Sequence, residues 1–446
     1  MKTILQKLGM LIAVLCASFS TYAYDFEVDG IYYDVVSLTD FTCRVTSGTK
    51  RYSGDIEIPS EVKYNNRTLS VTKIGGSAFN GCSSLTSVTI PNSVTYIGWS
   101  AFNGCSSLTS VTIPNSVTEI GEDAFFGCRS LTSVTIPNSV TEIGESAFYD
   151  CSSLTSVTIP DSVNEIKGYT FSGCSSLTSV TIPDSVTEIS WSAFSYCSSL
   201  TSVTIPDSVT EIGKDAFSGC SSLVSIKLSD SLKSIGFGLF YNCKSLESLS
   251  IPGSVKEIYQ EQRNGSYYTF ENCYALKMLR IEYSPEELMA YNEYYAYNYG
   301  WSDWTKRIEV LYIDRALKDD IYVPNLDKLE LGANIKMVQI NNLNYSDKLT
   351  TIESHALVPP MLPEMSNKQY MNVDVIVPAD AFDAYQADKN WGKFWNLQAG
   401  VDGVKVDSKK EEIGRYDMNG RAVPEDYHGL VIVRFSDGTC KKMLDH

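Results

Sequence analysis

A chain of 446 residues with 43% hydrophobic and 20% charged residues holds enough apolar material for a long core, which excludes disorder over most of its length. A formal net charge of −17 excludes nucleic acid as a partner, because phosphates demand Lys and Arg clusters that are absent here. Beyond the N-terminus no apolar run approaches the roughly 20 residues of a membrane helix, so the chain is expected not to span a membrane.

The first 23 residues read as an export signal. Lys2 and Lys7 supply positive charge, residues 8–19 an apolar run, and Thr21, Tyr22 and Ala23 a small-residue cleavage site. The mature protein is then expected to start at Tyr24, outside the cell or on its outer surface. Acylation at Cys16 would need small residues before it, and Val14 and Leu15 do not fit. Residues 24–50 read as an N-terminal β-hairpin cap that turns at Asp29 and Gly30. Ile56, Ile58, Val62 and Ile74 follow as an expanded first coil.

Within residues 51–281 cysteine recurs at Cys82, Cys105, Cys128, Cys151, Cys174, Cys197, Cys220 and Cys243, each 23 residues after the last. A fixed short period means stacked identical coils. In one coil Leu108, Val111 and Ile113 have the LxxLxL spacing of a strand with its apolar residues inward. Pro114 and Asn115 turn the chain, residues 117–120 return as a second short strand, and residues 124–127 resemble one helical or 3₁₀ turn. A single coil buries too few side chains to offset the ordering of its backbone, so the array must stack and be capped at both ends.

Cys273 arrives 30 residues after Cys243, because an insertion around residues 260–268 interrupts the coil. Residues 282–358 read as degenerate coils, with a helix expected to start at the capping-box spacing of Ser284, Pro285 and Glu287. Residues 359–397 read as a C-terminal cap, in which 375–397 form a strand followed by an amphipathic helix. Residues 398–446 read as a small all-β tail with hairpin turns at Asn419-Gly420 and Asp437-Gly438.

The unit SxLTSVTIPxSVTEIGxxAFxGC, the lead-in GDIEIPS from Gly54 and the closing VPADAFDAY from Val377 resemble the BspA-like leucine-rich repeat family over residues 24–397. The fold this implies is an α/β repeat solenoid, mostly β: a leucine-rich-repeat right-handed superhelix of 23-residue coils, capped at both ends, with the small β tail attached. The resemblance further implies a secreted or surface-displayed protein of anaerobic Gram-negative oral or gut bacteria. The family's name-giver is associated with adhesion to matrix proteins such as fibronectin and fibrinogen. The tail, YDMNGR from Tyr416 with GLVIVR from Gly429, is similar to sorting domains of type IX secretion. It lacks their final apolar-basic strand, and a β-module shielding the end of the array is the plainer alternative.

No catalytic residues, metal site or cofactor are expected. The three histidines, His355, His428 and His446, have no paired Ser, Cys or Asp motif, and His428 with Cys440 lacks any CxxC or HExxH support. Adjacent coils about 4.8 Å apart put the cysteines within disulfide range, but stacked identical positions hold their Cβ vectors parallel, so buried free thiols fit better. Glu119, Glu142, Glu165, Glu188 and Glu211 form a carboxylate column, with Asp161, Asp184 and Asp207 a shorter one. A solvated acidic face or bridging calcium would each accommodate them.

Two groups are candidates for binding. The strand face offers Thr86, Thr89, Thr109, Thr112, Thr132 and Thr135, repeated from coil to coil, a neutral surface suited to weak polyvalent contact. Tyr267, Tyr268, Tyr291, Tyr294, Tyr295, Tyr297, Tyr299, Trp301 and Trp304 form an aromatic cluster of the types that dominate protein hot spots and stack on sugars. Together these point to a non-catalytic binding protein, expected to be monomeric, that adheres to a host or neighbouring-cell protein of extracellular-matrix type. A glycan-binding module for polysaccharide capture and a passive spacer are the alternatives.

Overall fold

The computed structural model describes residues 24–259, 269–291, 305–318, 320–341, 343–400, 412–417, 429–435 and 440–445. The expected signal peptide, and the histidines His428 and His446, lie outside the described residues. The chain divides into two compact units, Met1–Ser229 with Gly238–Lys244, and Asp230–Phe237 with Ser245–His446.

In the first unit the expected hairpin is present. Phe26–Val28 pairs antiparallel with Ile31–Ser37, and the turn uses left-handed backbone at Asp29 (φ 49°) and Gly30 (φ 81°). Ile31–Ser37 pairs antiparallel with Thr42–Thr46, which then pairs parallel with Arg67–Ile74. The cap thus converts an antiparallel edge into a parallel ladder that continues through Tyr96–Ile97 and Glu119–Ile120 to Glu142–Ile143.

The coils stack in the register that the repeat demands. Ser110–Thr112 pairs in parallel with Ser133–Thr135, and Glu119–Ile120 with Glu142–Ile143, so each residue meets its own counterpart in the next coil. Leu108, Val111, Ile113, Val117, Ile120, Ala124 and Phe125 are all buried. Phe79, Phe102, Phe125, Phe148, Phe171, Phe194 and Phe217 form a stacked column with ring centroids 4.9 to 5.6 Å apart. Such offset stacks add to the burial of the rings themselves.

Residues 124–127 lie in tight turns closed by Phe126 N to Asp123 O at 3.0 Å and Cys128 N to Phe125 O at 3.1 Å, with left-handed backbone at Asp123 (φ 54°) and Gly127 (φ 68°), and do not continue as a helix. The cause is where the amides go. Phe125 N donates to Ala147 O and Gly127 N to Tyr149 O, each at 2.7 Å, so groups that a helix would pair internally are taken by the next coil.

Side chains extend the same ladders. Ser116 Oγ donates to Val94 O at 2.6 Å and Ser139 Oγ to Val117 O at 2.7 Å. Cys82, Cys105, Cys128, Cys151, Cys174, Cys197 and Cys220 are buried and form no disulfide, and thiols face carbonyls across coils: Cys105 Sγ lies 3.1 Å from Phe79 O and Cys128 Sγ 3.2 Å from Phe102 O. The sulfur is therefore both core filler and weak donor.

The ladders are not continuous, and one of their breaks coincides with a change in the repeat. The glycine after the second strand lets coils approach closely: a Cβ on Gly144 would sit 2.4 Å from Glu122 N. Lys167 occupies that place in the next coil, and there both ladders stop, since Ser133–Thr135 and Ser156–Thr158 belong to separate sheets, as do Glu142–Ile143 and Glu165–Ile166. The phenylalanine spacing widens at the same boundary, from 5.2 Å at Phe125–Phe148 to 5.6 Å at Phe148–Phe171. Ser190 fills the glycine place one coil later with its strand still paired, so lysine's bulk and not a Cβ alone accompanies the break.

The second unit carries a seven-stranded parallel ladder of Ser248–Ile251, Met278–Ile281, Val310–Ile313, Lys328–Leu331, Thr351–Ser354, Asp374–Pro378 and Asn396–Gly400. The helix expected from Ser284 is absent. Ser284 Oγ accepts from Glu286 N, at 3.3 Å, and the chain continues into the strand Met289–Tyr291, which pairs with Glu257–Tyr259. Ladder pairing overrides the local capping signal. The unit ends in two short helices, Asn367–Asn372, capped by Ser366 with Gln369, and Phe382–Ala387, around the fully buried Tyr385 and Trp391. Glu412–Asp417, Gly429–Phe435 and Cys440–Asp445 form an antiparallel sheet. The expected turns at Asn419-Gly420 and Asp437-Gly438 lie outside the described residues.

Candidate functional site

The two threonine columns of the first unit differ in their use. Thr86, Thr109 and Thr132 are exposed, yet their hydroxyls are engaged: Thr86 Oγ1 donates to Asp55 Oδ1 at 2.8 Å, Thr109 Oγ1 to Thr86 O at 3.2 Å and Thr132 Oγ1 to Thr109 O at 3.5 Å. Hydrogen bonds from Ser87 and Thr86 hold the Asp55 carboxyl below its usual range. Thr89, Thr112 and Thr135 stand opposite one another in register and face solvent. This face is chiefly a scaffold whose outer rail is neutral.

One of its breaks forms a cleft. Ser179–Thr181 and Ser202–Thr204 lie in different sheets, and a cleft of about 540 Å³ between them is lined by both strands with Asp184, Asp207 and Lys227. Lys227 Nζ lies 3.9 Å from Asp207 Oδ1. The break of the repeated SVT to Ser225-Ile226-Lys227 was the sequence signal for this lysine.

The second unit builds a different face. Register aligns Ser250, Arg280, Tyr312, Glu330 and Glu353 on consecutive strands, on the side opposite the buried Leu249, Leu279, Leu311, Leu329 and Ile352. The Arg280 guanidinium sits 3.6 Å from the centroid of the Tyr312 ring, and its Nε donates to Glu282 Oε1 at 2.6 Å. Burial pushes the Tyr312 hydroxyl up to about 12. Beside them Lys328 Nζ lies 2.8 Å from Glu353 Oε2, and His355 Nε2 is 3.3 Å from Glu330 Oε1. That hydrogen bond holds Glu330 below its usual range against the opposing effect of burial. His355 thus serves an ion-pair cluster in a face of mixed sign.

Sequence reading missed this column. The counterparts are unequally spaced along the drifted coils, and only the ladder register brings Arg280 beside Tyr312.

Of the aromatic cluster, Tyr291 ends the strand Met289–Tyr291. Tyr267, Tyr268, Tyr294, Tyr295, Tyr297, Tyr299, Trp301 and Trp304 lie outside the described residues. Among the described residues no three of His, Cys, Asp and Glu converge as metal ligands. The glutamate column is in register, Glu119 opposite Glu142 and Glu165 opposite Glu188, and Lys167 Nζ pairs with Glu142.

Residues 72–201 and 187–299 match the family model described as a BspA type leucine-rich repeat region, in six copies, over about half of the chain. No curated protein matches. Among solved structures, a leucine-rich repeat protein of T. pallidum is 29% identical over 45% of this chain and 90% of its own, with a TM-score of 0.40. A leucine-rich cell surface protein of Faecalibacterium prausnitzii is 27% identical over 58% of this chain and 95% of its own, with a TM-score of 0.36. A leucine-rich repeat protein of Bacteroides ovatus is 26% identical over 74% of this chain and all of its own, with a TM-score of 0.35.

Proposed function

The chain belongs to the BspA-type leucine-rich repeat family, and from that premise we propose that it is an exported binding protein that recognises a host or neighbouring-cell protein, of extracellular-matrix type, without catalysis. The observation that carries this reading is the Arg280–Tyr312 pair within the strand-face column of the second unit. Arg and Tyr are the residue types on which protein hot spots are built, and a guanidinium already seated on a ring loses little freedom on binding. Lys328, Glu330, Glu353 and His355 surround the pair with charges of both signs, suited to steering and register.

The neutral rail of Thr89, Thr112 and Thr135 would add weak contacts repeated along the array. The Tyr-rich segment from Tyr291 to Trp304 is proposed as a second contact region. Display at the cell surface or release from it fits the family and the N-terminal signal. No helix among the described residues is long and apolar enough to cross a membrane. The three-stranded tail is proposed as the sorting signal, and the protein as a monomer.

The test is an array of matrix proteins and glycans probed with the full chain and with Arg280→Ala. A protein signal that falls about tenfold or more in the variant is expected for loss of a hot spot. Undiminished protein binding by the variant would overturn this placement of the site. Binding competed by free oligosaccharide and lost on Trp301→Ala would move the assignment to glycan capture.

A further inference from the structure

The two coils that carry Ser179–Thr181 and Ser202–Thr204 stay joined on one side and part on the other. Away from the strand face Glu188–Ile189 pairs in parallel with Glu211–Ile212, and Phe194 N donates to Ala216 O at 2.8 Å. On the strand face Thr178 N donates to Thr155 O at 3.0 Å and Val224 N to Thr201 O at 2.9 Å, yet among the described residues no backbone hydrogen bond joins residues 178–182 to residues 201–205. Val180 registers the opening. It is half-buried, whereas Val157 and Val203, its counterparts in the coils on either side, are 3% and 4% exposed.

The side chains around the opening are uncommitted. Thr178 Oγ1, in the inner column, donates to Thr155 O at 3.1 Å. By contrast, among the described residues the hydroxyls of Ser179, Thr181, Ser202 and Thr204 and the carboxylate of Asp184 have no hydrogen-bond or ion-pair partner. All five residues are exposed, so a ligand reaches them from solvent. Lys227 Nζ, at 3.9 Å from Asp207 Oδ1, is too far for a hydrogen bond and keeps its N–H donors for another acceptor.

These groups line the cleft of about 540 Å³, a volume that suits a small ligand, with the half-buried Val180 and Pro206 as apolar wall. Four hydroxyls that both donate and accept, a carboxylate that only accepts and an ammonium that only donates call for a ligand with donors and acceptors around its whole rim. We propose that the cleft binds a neutral sugar unit of an oligosaccharide: its hydroxyls donate to Asp184, accept from Lys227 and exchange bonds with the Ser and Thr hydroxyls, and a C–H face rests on Val180 and Pro206. Asp184 and Asp207 outnumber Lys227, which disfavours uronates and phosphates. The wall holds no aromatic ring or arginine to anchor a protein partner. The site uses none of the strand-face column of the second unit, and its occupancy is independent of Arg280.

The experiment is calorimetric titration of the full chain with maltotriose, mannotriose, galactotriose and chitotriose, and with trigalacturonate as an anionic counterpart. Saturable binding of at least one neutral trisaccharide is expected, and weaker binding of trigalacturonate. Asp184→Ala should weaken the neutral sugar by about tenfold or more, as for loss of a hydrogen bond to a charged group, and Thr181→Val by roughly twofold to tenfold. Thr112→Val, at the same repeat position outside the cleft, should change nothing. These residues are exposed, so the variants test the site without testing the fold. No saturable binding of any neutral trisaccharide, trigalacturonate binding as tightly as the neutral sugars, or sugar binding indifferent to both Asp184→Ala and Thr181→Val would overturn the proposal. Sugar binding that survives both variants and is lost on Trp301→Ala would overturn it as well, by placing the sugar elsewhere.

Discussion

In the first unit the residues that leave the strand face are the same from coil to coil, and many of their hydroxyls serve the neighbouring coil, as Thr109 and Ser116 do. In the second unit the same kind of parallel register presents Arg280, Tyr312, Glu330 and Glu353 in succession. Repetition gives each residue an identical neighbour, which favours stacked rings, shared hydroxyls and packed thiols. It also makes the surface uniform. Drift sacrifices the uniform stack and allows unlike residues, such as a guanidinium and a phenol ring, to meet. The contrast suggests a division of labour between a repetitive scaffold and a varied face, and several measurements would break or sharpen it.

The largest effect expected of the repetitive unit is collective. Burial pushes Cys105, Cys174 and Cys220 up to about 12, and Cys128, Cys151 and Cys197 well above the ordinary thiol range. Below the unfolded thiol pKa of about 8.5 both states are protonated, and stability does not depend on these groups. Above it only the unfolded chain ionises, so each thiol removes up to about 1.4 kcal/mol per pH unit until its folded pKa is reached. Urea midpoints should therefore fall steeply between about pH 8.5 and about pH 10. A flat profile would mean that the thiols are not buried as described.

Phe125→Ala should cost about 3–5 kcal/mol in chemical denaturation, the range for large core truncations, whereas Arg280→Ala should leave the unfolding midpoint nearly unchanged while affecting binding. Equal stability losses would erase the distinction between scaffold and face. Gly144→Ala should cost about 1–3 kcal/mol by overpacking against Glu122 N. Lys167→Gly should do the opposite, slowing amide exchange across the boundary between Glu142–Ile143 and Glu165–Ile166. Ser139→Ala, which removes one hydroxyl bond to Val117 O, should cost about 0.5–1.5 kcal/mol.

Much of the scaffold was legible in the sequence because its causes are local and periodic. The hairpin at Asp29-Gly30 follows from its local turn residues, and the inward Leu108, Val111 and Ile113 and the buried thiols follow from repeated positions meeting themselves. Where structure depends on distant pairing the sequence misled, as at Ser284, whose helix signal yields to a strand. The helix Asn367–Asn372 had its Ser366 and Gln369 capping box in plain view, but no apolar periodicity around it drew notice. The Arg280 column was hidden for a further reason: unequal coil lengths conceal which residues become neighbours.

The most direct test of the division between scaffold and face compares three full-length proteins on immobilised extracellular-matrix proteins: the wild type, Arg280→Ala, and a variant with Thr89, Thr112 and Thr135 all changed to Ala. The account predicts a loss of about tenfold or more for Arg280→Ala and little change for the triple variant, as hot-spot composition requires. Loss of binding in the threonine variant with Arg280→Ala unaffected would contradict it and place recognition on the repetitive array.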